Sequence, residues 1–189
     1  MKRKEALKVS EEKLPKKRFK HCQRVAETAE KMAKIFNADK DKVYLAGVLH
    51  DYSKYDDLGK MYQTVQSEGL DPELLEYKSE VLHGPIAAVK VKNKFGLDDP
   101  DVLLAITHHT SGAKQMGIIE KIIFVADYIE PERSQPGVDF IRDIIYKEEN
   151  IDRAVYQITK ANMQHLLEKD QTIYYKTLEC LNYYNMAKE

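Results

Sequence analysis

Between Phe19 and Phe36 the apolar residues Phe19, Cys22, Val25, Ala26, Ala29, Met32, Ala33 and Phe36 recur at steps of three and four. That spacing lines them up along one face of an α-helix, whereas a strand would scatter them over both of its faces. Pro15 stands near the start of this segment, where a helix tolerates proline. The same signature returns downstream. Asp39 reads as the N-cap of a second helix running through Val43, Leu45, Ala46, Val48 and Leu49 to His50-Asp51. Asp71-Pro72 and Asp99-Pro100 each read as a cap followed by a first-turn proline, and Gly96 as the terminator of a helix from Pro85 to Phe95. The most apolar stretch, Gly117 to Asp127, has the length and period of a buried helix. Its β-branched residues would also suit a strand, but no alternating partner strand is visible elsewhere. Glu130-Pro131 ends it. Beyond the Gln135-Pro136-Gly137 turn, two or three more helices are expected, with Tyr174, Tyr175, Tyr183 and Tyr184 on the last. The expected fold is all-α, a helical bundle forming one domain over residues 1–189. Its core spans about 15–150, and C-terminal helices at 151–189 pack onto it.

A chain of 189 residues can bury such a core without staples. With 43% hydrophobic and 32% charged residues, its composition is that of an ordinary globular protein rather than a disordered one. The 30 basic and 31 acidic side chains nearly cancel, which argues against a general nucleic-acid binder. A local basic pocket for one anionic ligand remains open. The two cysteines, Cys22 and Cys180, are far apart and in no ligand-like spacing, so a reducing compartment fits better than a disulfide framework or a thiolate zinc site. The charged N-terminus is followed by no apolar stretch of signal-peptide length, and no run approaches the roughly 20 residues of a membrane span. A cytoplasmic protein without membrane contact is expected, and a homodimer is allowed.

Five of the six histidines precede residue 110. His21 shares a helix face with Val25, Thr28 and Met32 and should point inward, either as a hydrogen-bonded core residue or as a ligand. His50-Asp51 emerges from the core at a helix end, where the two can converge although adjacent helical residues point about 100° apart. Asp127 ends an apolar run and must be paired, protonated or metal-bound there. Together His21, His50, Asp51 and Asp127 would form a nitrogen and oxygen donor set without sulfur, suited to Fe, Mn, Co, Ni, Zn or Mg. His83, in Leu82-His-Gly-Pro85 just before an expected helix, and His108-His109, at the end of another, could add a second metal position or donate hydrogen bonds to phosphate. His108 and His109 cannot both face the same way on a regular helix. His165 and the late tyrosines read as structural, and Cys22 as core.

The order His21, His50-Asp51, Asp127 resembles the His…His-Asp…Asp pattern of the HD-domain phosphohydrolase superfamily. More specifically, His50-Asp-Tyr-Ser-Lys54, Leu82-His-Gly-Pro85, His109-Thr-Ser-Gly112 and Ala126-Asp-Tyr-Ile-Glu-Pro-Glu-Arg133 are similar to the bacterial YqeK family. That family consists of symmetrical diadenosine tetraphosphate hydrolases, and the similarity runs from about Arg18 to the final helix. It implies an HD-domain bundle and an iron-type ion held by His21, His50, Asp51 and Asp127. It also implies attack on a phosphoanhydride that releases two ADP. Asp51 is then the natural bridge to any second ion near His83 and His109. His83 and His109 join Asp51 as catalytic candidates. Lys54, His83, His109 and Arg133 would stabilise charge on the phosphate chain. His21, Asp51, Asp127, the adjoining Tyr128 and Thr172, whose hydroxyl could reach in from the C-terminal helices, complete the expected substrate contacts.

Two other readings compete. One is another HD-domain nucleotidase or phosphodiesterase, acting on mononucleotides, cyclic dinucleotides or guanosine alarmones. The other is a non-catalytic nucleotide sensor with a structural metal, which would have no need of the intact ligand set.

Overall fold

The structure, a computed structural model, describes residues 1–186. Ten α-helices and one short 3₁₀ helix, with no strand, make up the regular structure of the described residues. They are α1 (Arg3–Lys13), α2 (Lys16–Ile35), α3 (Lys40–Leu49), α4 (Leu58–Ser67), the 3₁₀ turn Pro72–Glu76 and α5 (Ser79–Phe95). Then come α6 (Pro100–His108), α7 (Ile118–Ile129), α8 (Val138–Tyr146), α9 (Ile151–Glu168) and α10 (Tyr175–Met186). The protein is all-α, as its periodicity demands.

Most helix starts follow local chemistry. Asp39 accepts from the backbone N–H groups of Asp41 and Lys42, Asp99 from those of Asp101 and Val102, and Asp57 from that of Lys60. Asp71 caps the 3₁₀ turn rather than a full helix. At α7, Glu120 turns back to accept from Gly117 N at 2.7 Å. The β-branched run is therefore helical, because eight of its residues find a buried surface on every side. Tertiary packing overrides propensity here.

Two segments depart from the sequence reading. The charged start of the chain forms α1, whose Ala6 and Ser10 are buried and whose Ser10 hydroxyl donates to Val48 O. The other is α5, which begins at Ser79, so that Leu82, His83 and Pro85 lie inside a helix rather than before one. Pro85 removes the bond that would reach the Val81 carbonyl. Burial of Leu82 and Ile86 in a side cluster with Met61, Val65, Leu74 and Tyr174 holds the first turns in place regardless.

Helix α2 lies against α3 and α7, α6 bridges α3, α5 and α7, and α9 packs on α7, α8 and α10. One apolar cluster runs through all of these, from Ala6 and Val25 to Ala154, Ile158, Cys180 and Tyr184. The α2–α3 seam is unusually close. A Cβ on Gly47 would stand 2.7 Å from Ala26 Cα and 2.9 Å from Ala26 N, both backbone atoms of the facing helix. Gly47→Ala should therefore lose about 1–3 kcal/mol through overpacking. The roughly 1 kcal/mol gained in helix propensity is too small to offset it. Denaturant unfolding measures the difference, and a variant as stable as the parent would contradict this packing.

Candidate metal centre

Five helices deliver one donor-bearing segment each to a single point. His21 comes from α2, His50-Asp51 from the end of α3, His83 from α5, His109 from the end of α6 and Asp127 from α7. All but Asp127 are buried, and Asp127 is partly so.

The imidazoles are oriented by their own backbone. His50 Nδ1 lies 2.8 Å from Gly47 O, His83 Nδ1 2.8 Å from Ser79 O, and His109 Nδ1 2.8 Å from Ile106 O. A carbonyl only accepts, so each Nδ1 carries a proton, and a ring protonated there alone presents an Nε2 lone pair inward. His21 follows the same logic with a carboxylate, its Nδ1 donating to Glu130 Oε1 at 3.1 Å.

Those lone pairs meet carboxylate oxygens. His21 Nε2 is 3.0 Å from Asp127 Oδ1 and 3.8 Å from Asp51 Oδ2, while His50 Nε2 is 3.0 Å from Asp51 Oδ2. Yet His21 Nε2 and His50 Nε2 are buried without a hydrogen-bond partner, and Asp51 Oδ2 meets only the Arg18 guanidinium at 2.9 Å. Lone pairs at that separation repel unless something positive stands among them. Two donors about 2.1 Å from one ion at right angles would lie about 3.0 Å apart. The residues fit a divalent cation among His21, His50 and Asp127, with Asp51 Oδ2 3.0 Å from His50 Nε2 beside them. A second group adjoins it. Asp51 Oδ1 lies 3.2 Å from His83 Nε2 and 3.9 Å from His109 Nε2, and these two nitrogens are 2.9 Å apart. Asp51, His83 and His109 form a second set of converging donors, and Asp51 belongs to both sets through its two oxygens.

Charge follows from this arrangement. Burial would push Asp51 up, but His50, with His83 and His109, holds it well below the usual carboxylate range. Burial likewise opposes ionisation of Asp127, and His21 and Arg133 overcome it. Desolvation, with His50 and His83 beside it, drives His109 well below the ordinary histidine value, so it is neutral near pH 7.

The structure gives the other expected residues different places. Arg133 sits on the centre, with Nη2 2.6 Å from Asp127 Oδ1 and Nε 2.9 Å from Asp127 O. Lys54 is half-buried in the turn after Asp51, where its backbone N–H donates to Asp51 O. Tyr128 is partly buried against the core, and its carbonyl accepts from Gln135. Thr172 lines a cleft of about 670 Å³ together with Tyr77, Thr110, Ser111 and Tyr174. That cleft opens onto the donors, for Thr110 Oγ1 is 3.0 Å from His109 Nε2 and 3.3 Å from His83 Nε2. His165 lines the same cleft. His108 turns away, its Nδ1 2.6 Å from Glu120.

Sequence pattern did not single out three neighbours, Arg18, Glu130 and Thr110. Arg18 Nη1 is 2.9 Å from Asp51 Oδ2, and its position one turn before His21 was the available signal. Glu130 looked like part of a helix end, yet it is buried against His21 and gripped by Arg24 Nε at 2.6 Å. Its carboxyl, opposed by burial, is lowered mainly by Arg24. Thr110 was hidden beside the conspicuous His109. Cys22 Sγ comes within 4.8 Å of the His50 and Asp51 donor atoms, but burial, reinforced by Asp51, pushes the thiol well up. It remains a protonated neighbour packed on Leu14 and Phe19, not a thiolate ligand.

Glu130 fixes the His21 tautomer and ring plane in the manner of a carboxylate behind a metal-bound histidine. Glu130→Gln should weaken cation affinity by about 10–100-fold with little change in fold. Titration with Mn²⁺ reads this directly, and an unchanged affinity would remove Glu130 from the centre.

Comparison with known proteins agrees with the geometry. The family model of the HD domain matches residues 18–132, which contain every donor named above. A Staphylococcus aureus protein named symmetrical bis(5'-nucleosyl)-tetraphosphatase is 53% identical, over 97% of this chain and 95% of its own length. A Bacillus subtilis protein of the same name is 37% identical over 97% of each. The crystal structure of a Clostridium acetobutylicum protein described as a predicted HD superfamily hydrolase involved in NAD metabolism superposes with a TM-score of 0.92. It is 34% identical and covers 98% of this chain and 97% of its own. On the donor set, the fold and these similarities alike, the chain belongs to the HD-domain superfamily and, within it, to the YqeK family.

Proposed function

We propose that this protein is a metal-dependent acid-anhydride hydrolase that cleaves diadenosine tetraphosphate symmetrically into two ADP. The observation that carries the reading is the convergence of inward Nε2 lone pairs and the two oxygens of Asp51 beside a nucleotide-sized cleft. Sensing alone would not require such a set. In that place a di- or trivalent cation, iron being favoured among Fe, Mn, Co, Ni, Zn and Mg, would lower the pKa of water and neutralise phosphoryl oxygens.

The chain's own residues supply the rest. His21, His50, Asp51 and Asp127 would hold the ion, and Asp51, His83 and His109 offer donors for a second. The neutral, Nδ1-protonated form of His109 has no Nε2 proton to give a phosphate, so its lone pair suits a cation or an incoming proton better than a phosphoryl oxygen. Charge on the phosphate chain is met instead by Arg133, by Arg18 and by Lys54. Arg133 keeps its Nη1 free of Asp127 and can turn it to a phosphoryl oxygen. Thr110 and Thr172 line the route by which a nucleoside enters. The whole chain acts as one unit, because α9 and α10 wall the cleft and share the apolar core of α2 to α7. No described helix is long and apolar enough to cross a membrane. Both cysteines are free, which suits a cytoplasmic location.

Purified protein incubated with diadenosine tetraphosphate should yield ADP alone, resolved by ion-exchange chromatography. ATP with AMP would refute symmetric cleavage, and faster turnover of a mononucleotide would refute the substrate. Elemental analysis of the same sample tests iron and the number of ions.

A further inference from the structure

Symmetric cleavage breaks the substrate at its middle, so each half must lie on its own side of the centre. The cleft that contains Thr172 can serve only one of them. Its lining carries three carboxylates, Glu76, Glu80 and Asp170, against one lysine, Lys78, a balance that suits a nucleoside better than a polyphosphate. The other half therefore needs a surface of opposite character.

Such a surface adjoins His21. A trough of about 450 Å³ is lined by Lys16, Lys17, Lys20, Arg24 and Glu132. Lys17, Lys20 and Arg24 stand at i, i+3 and i+7 on α2 and share one face, with His21 at its edge. Arg24 ties the trough to the centre through Glu130, which it contacts at 2.6 Å and which in turn holds His21 at 3.1 Å. Arg24 also pairs with Glu132 at 3.0 Å, so the one carboxylate of the trough is already neutralised. Lys16, Lys17 and Lys20 are exposed, and none has an ion pair among the described residues. In a chain whose net charge is −1, three unpaired cations around one concavity form a local anion site rather than a share of a general positive field.

We infer that this trough receives the second nucleoside diphosphate half of the substrate, its phosphates lying along Lys17, Lys20 and Lys16, so that a symmetrical substrate is held by two chemically unlike half-sites. The inference rests on the proposed function. It makes the lysines binding residues for the half that faces away from the cleft.

The test is the triple variant K16Q/K17Q/K20Q, with K31Q/K34Q as a control that removes exposed charge further along the same helix. The triple variant should raise KM for diadenosine tetraphosphate about tenfold, as expected for three solvent-exposed lysine–phosphate contacts, and change kcat less than about twofold. The control should change neither. Calorimetric titration with ADP should find two molecules per chain in the parent and one in the triple variant. All of these substitutions are on the surface, and matching thermal melts verify the fold. An unchanged KM with two ADP still bound would overturn the inference, as would an equal rise in KM for the control. If the parent yields no ADP from the dinucleotide, the proposed function fails. The ADP stoichiometry then decides the trough on its own.

Discussion

Asp51→Asn is expected to lower turnover of diadenosine tetraphosphate by about 10³-fold or more, the largest effect of any single substitution in this protein. The carboxylate has two oxygens and both are committed. Oδ2 faces His21, His50 and Arg18, while Oδ1 faces His83 and His109. An amide keeps the shape but loses the charge, and its nitrogen offers protons to rings that already point lone pairs inward. Both donor sets should weaken together. Metal content should therefore fall along with rate, whereas a change at Asp127 alone would spare the set at His83 and His109. The measurement is steady-state kinetics paired with elemental analysis at matched far-ultraviolet circular dichroism. Turnover within tenfold of the parent would show that Asp51 does not join the two groups.

Removal of the cation should be nearly as severe and should register in stability as well as in rate. Without it, His21 Nε2 and His50 Nε2 are left buried and unpartnered, each an uncompensated desolvation, and Asp51 Oδ2 keeps only Arg18 as a positive neighbour. Since the ion binds the folded chain and not the unfolded one, a cation at 100 times its Kd adds about 2.7 kcal/mol. In a chain of this length each kcal/mol moves Tm by about 2–4 °C, so dialysis against a chelator should lower Tm by about 5–10 °C. Activity should vanish at the same time. Both should return with Fe²⁺ or Mn²⁺ and not with Ca²⁺, whose demand for more oxygen ligands at longer distance this nitrogen-rich set does not meet. Equal melting temperatures before and after chelation, with zero residual metal, would mean that the donors do not bind a cation in the fold.

Much of this architecture is legible residue by residue. The stripe from Phe19 to Phe36 and the caps at Asp39 and Asp99 mark helices because those signals act within one turn. The start of α5 was not legible. Pro85 and Gly84 look like a boundary, and only burial of Leu82 and Ile86 carries the helix past them. Gly84 has a tertiary purpose that no local pattern reveals. A Cβ there would stand 2.7 Å from Thr107 O and 2.9 Å from Ile106 O, so its absence lets α5 close on the end of α6 and sets His83 against His109. Helix α1 was missed for a related reason. Its charged sequence has a short apolar face, and it is stabilised by contacts with distant residues, among them Arg3 with Glu30 and Asp41.

The candidate donors divide along the same line. By itself the sequence determines which side chains can ligate and, largely, which ring nitrogen each histidine presents. Those of His50 and His109 are set by a carbonyl three residues back, and that of His83 by one four residues back. Only the tertiary structure decides that His21 and Asp127 meet 3.0 Å apart, that Glu130 and Arg24 stand behind His21, and that Arg18 reaches Asp51. Hydrogen bonds within a turn are dictated by neighbours along the chain. The meeting of residues a hundred positions apart depends on how closely whole helices can approach, which is settled by packed volumes such as the missing Cβ of Gly47.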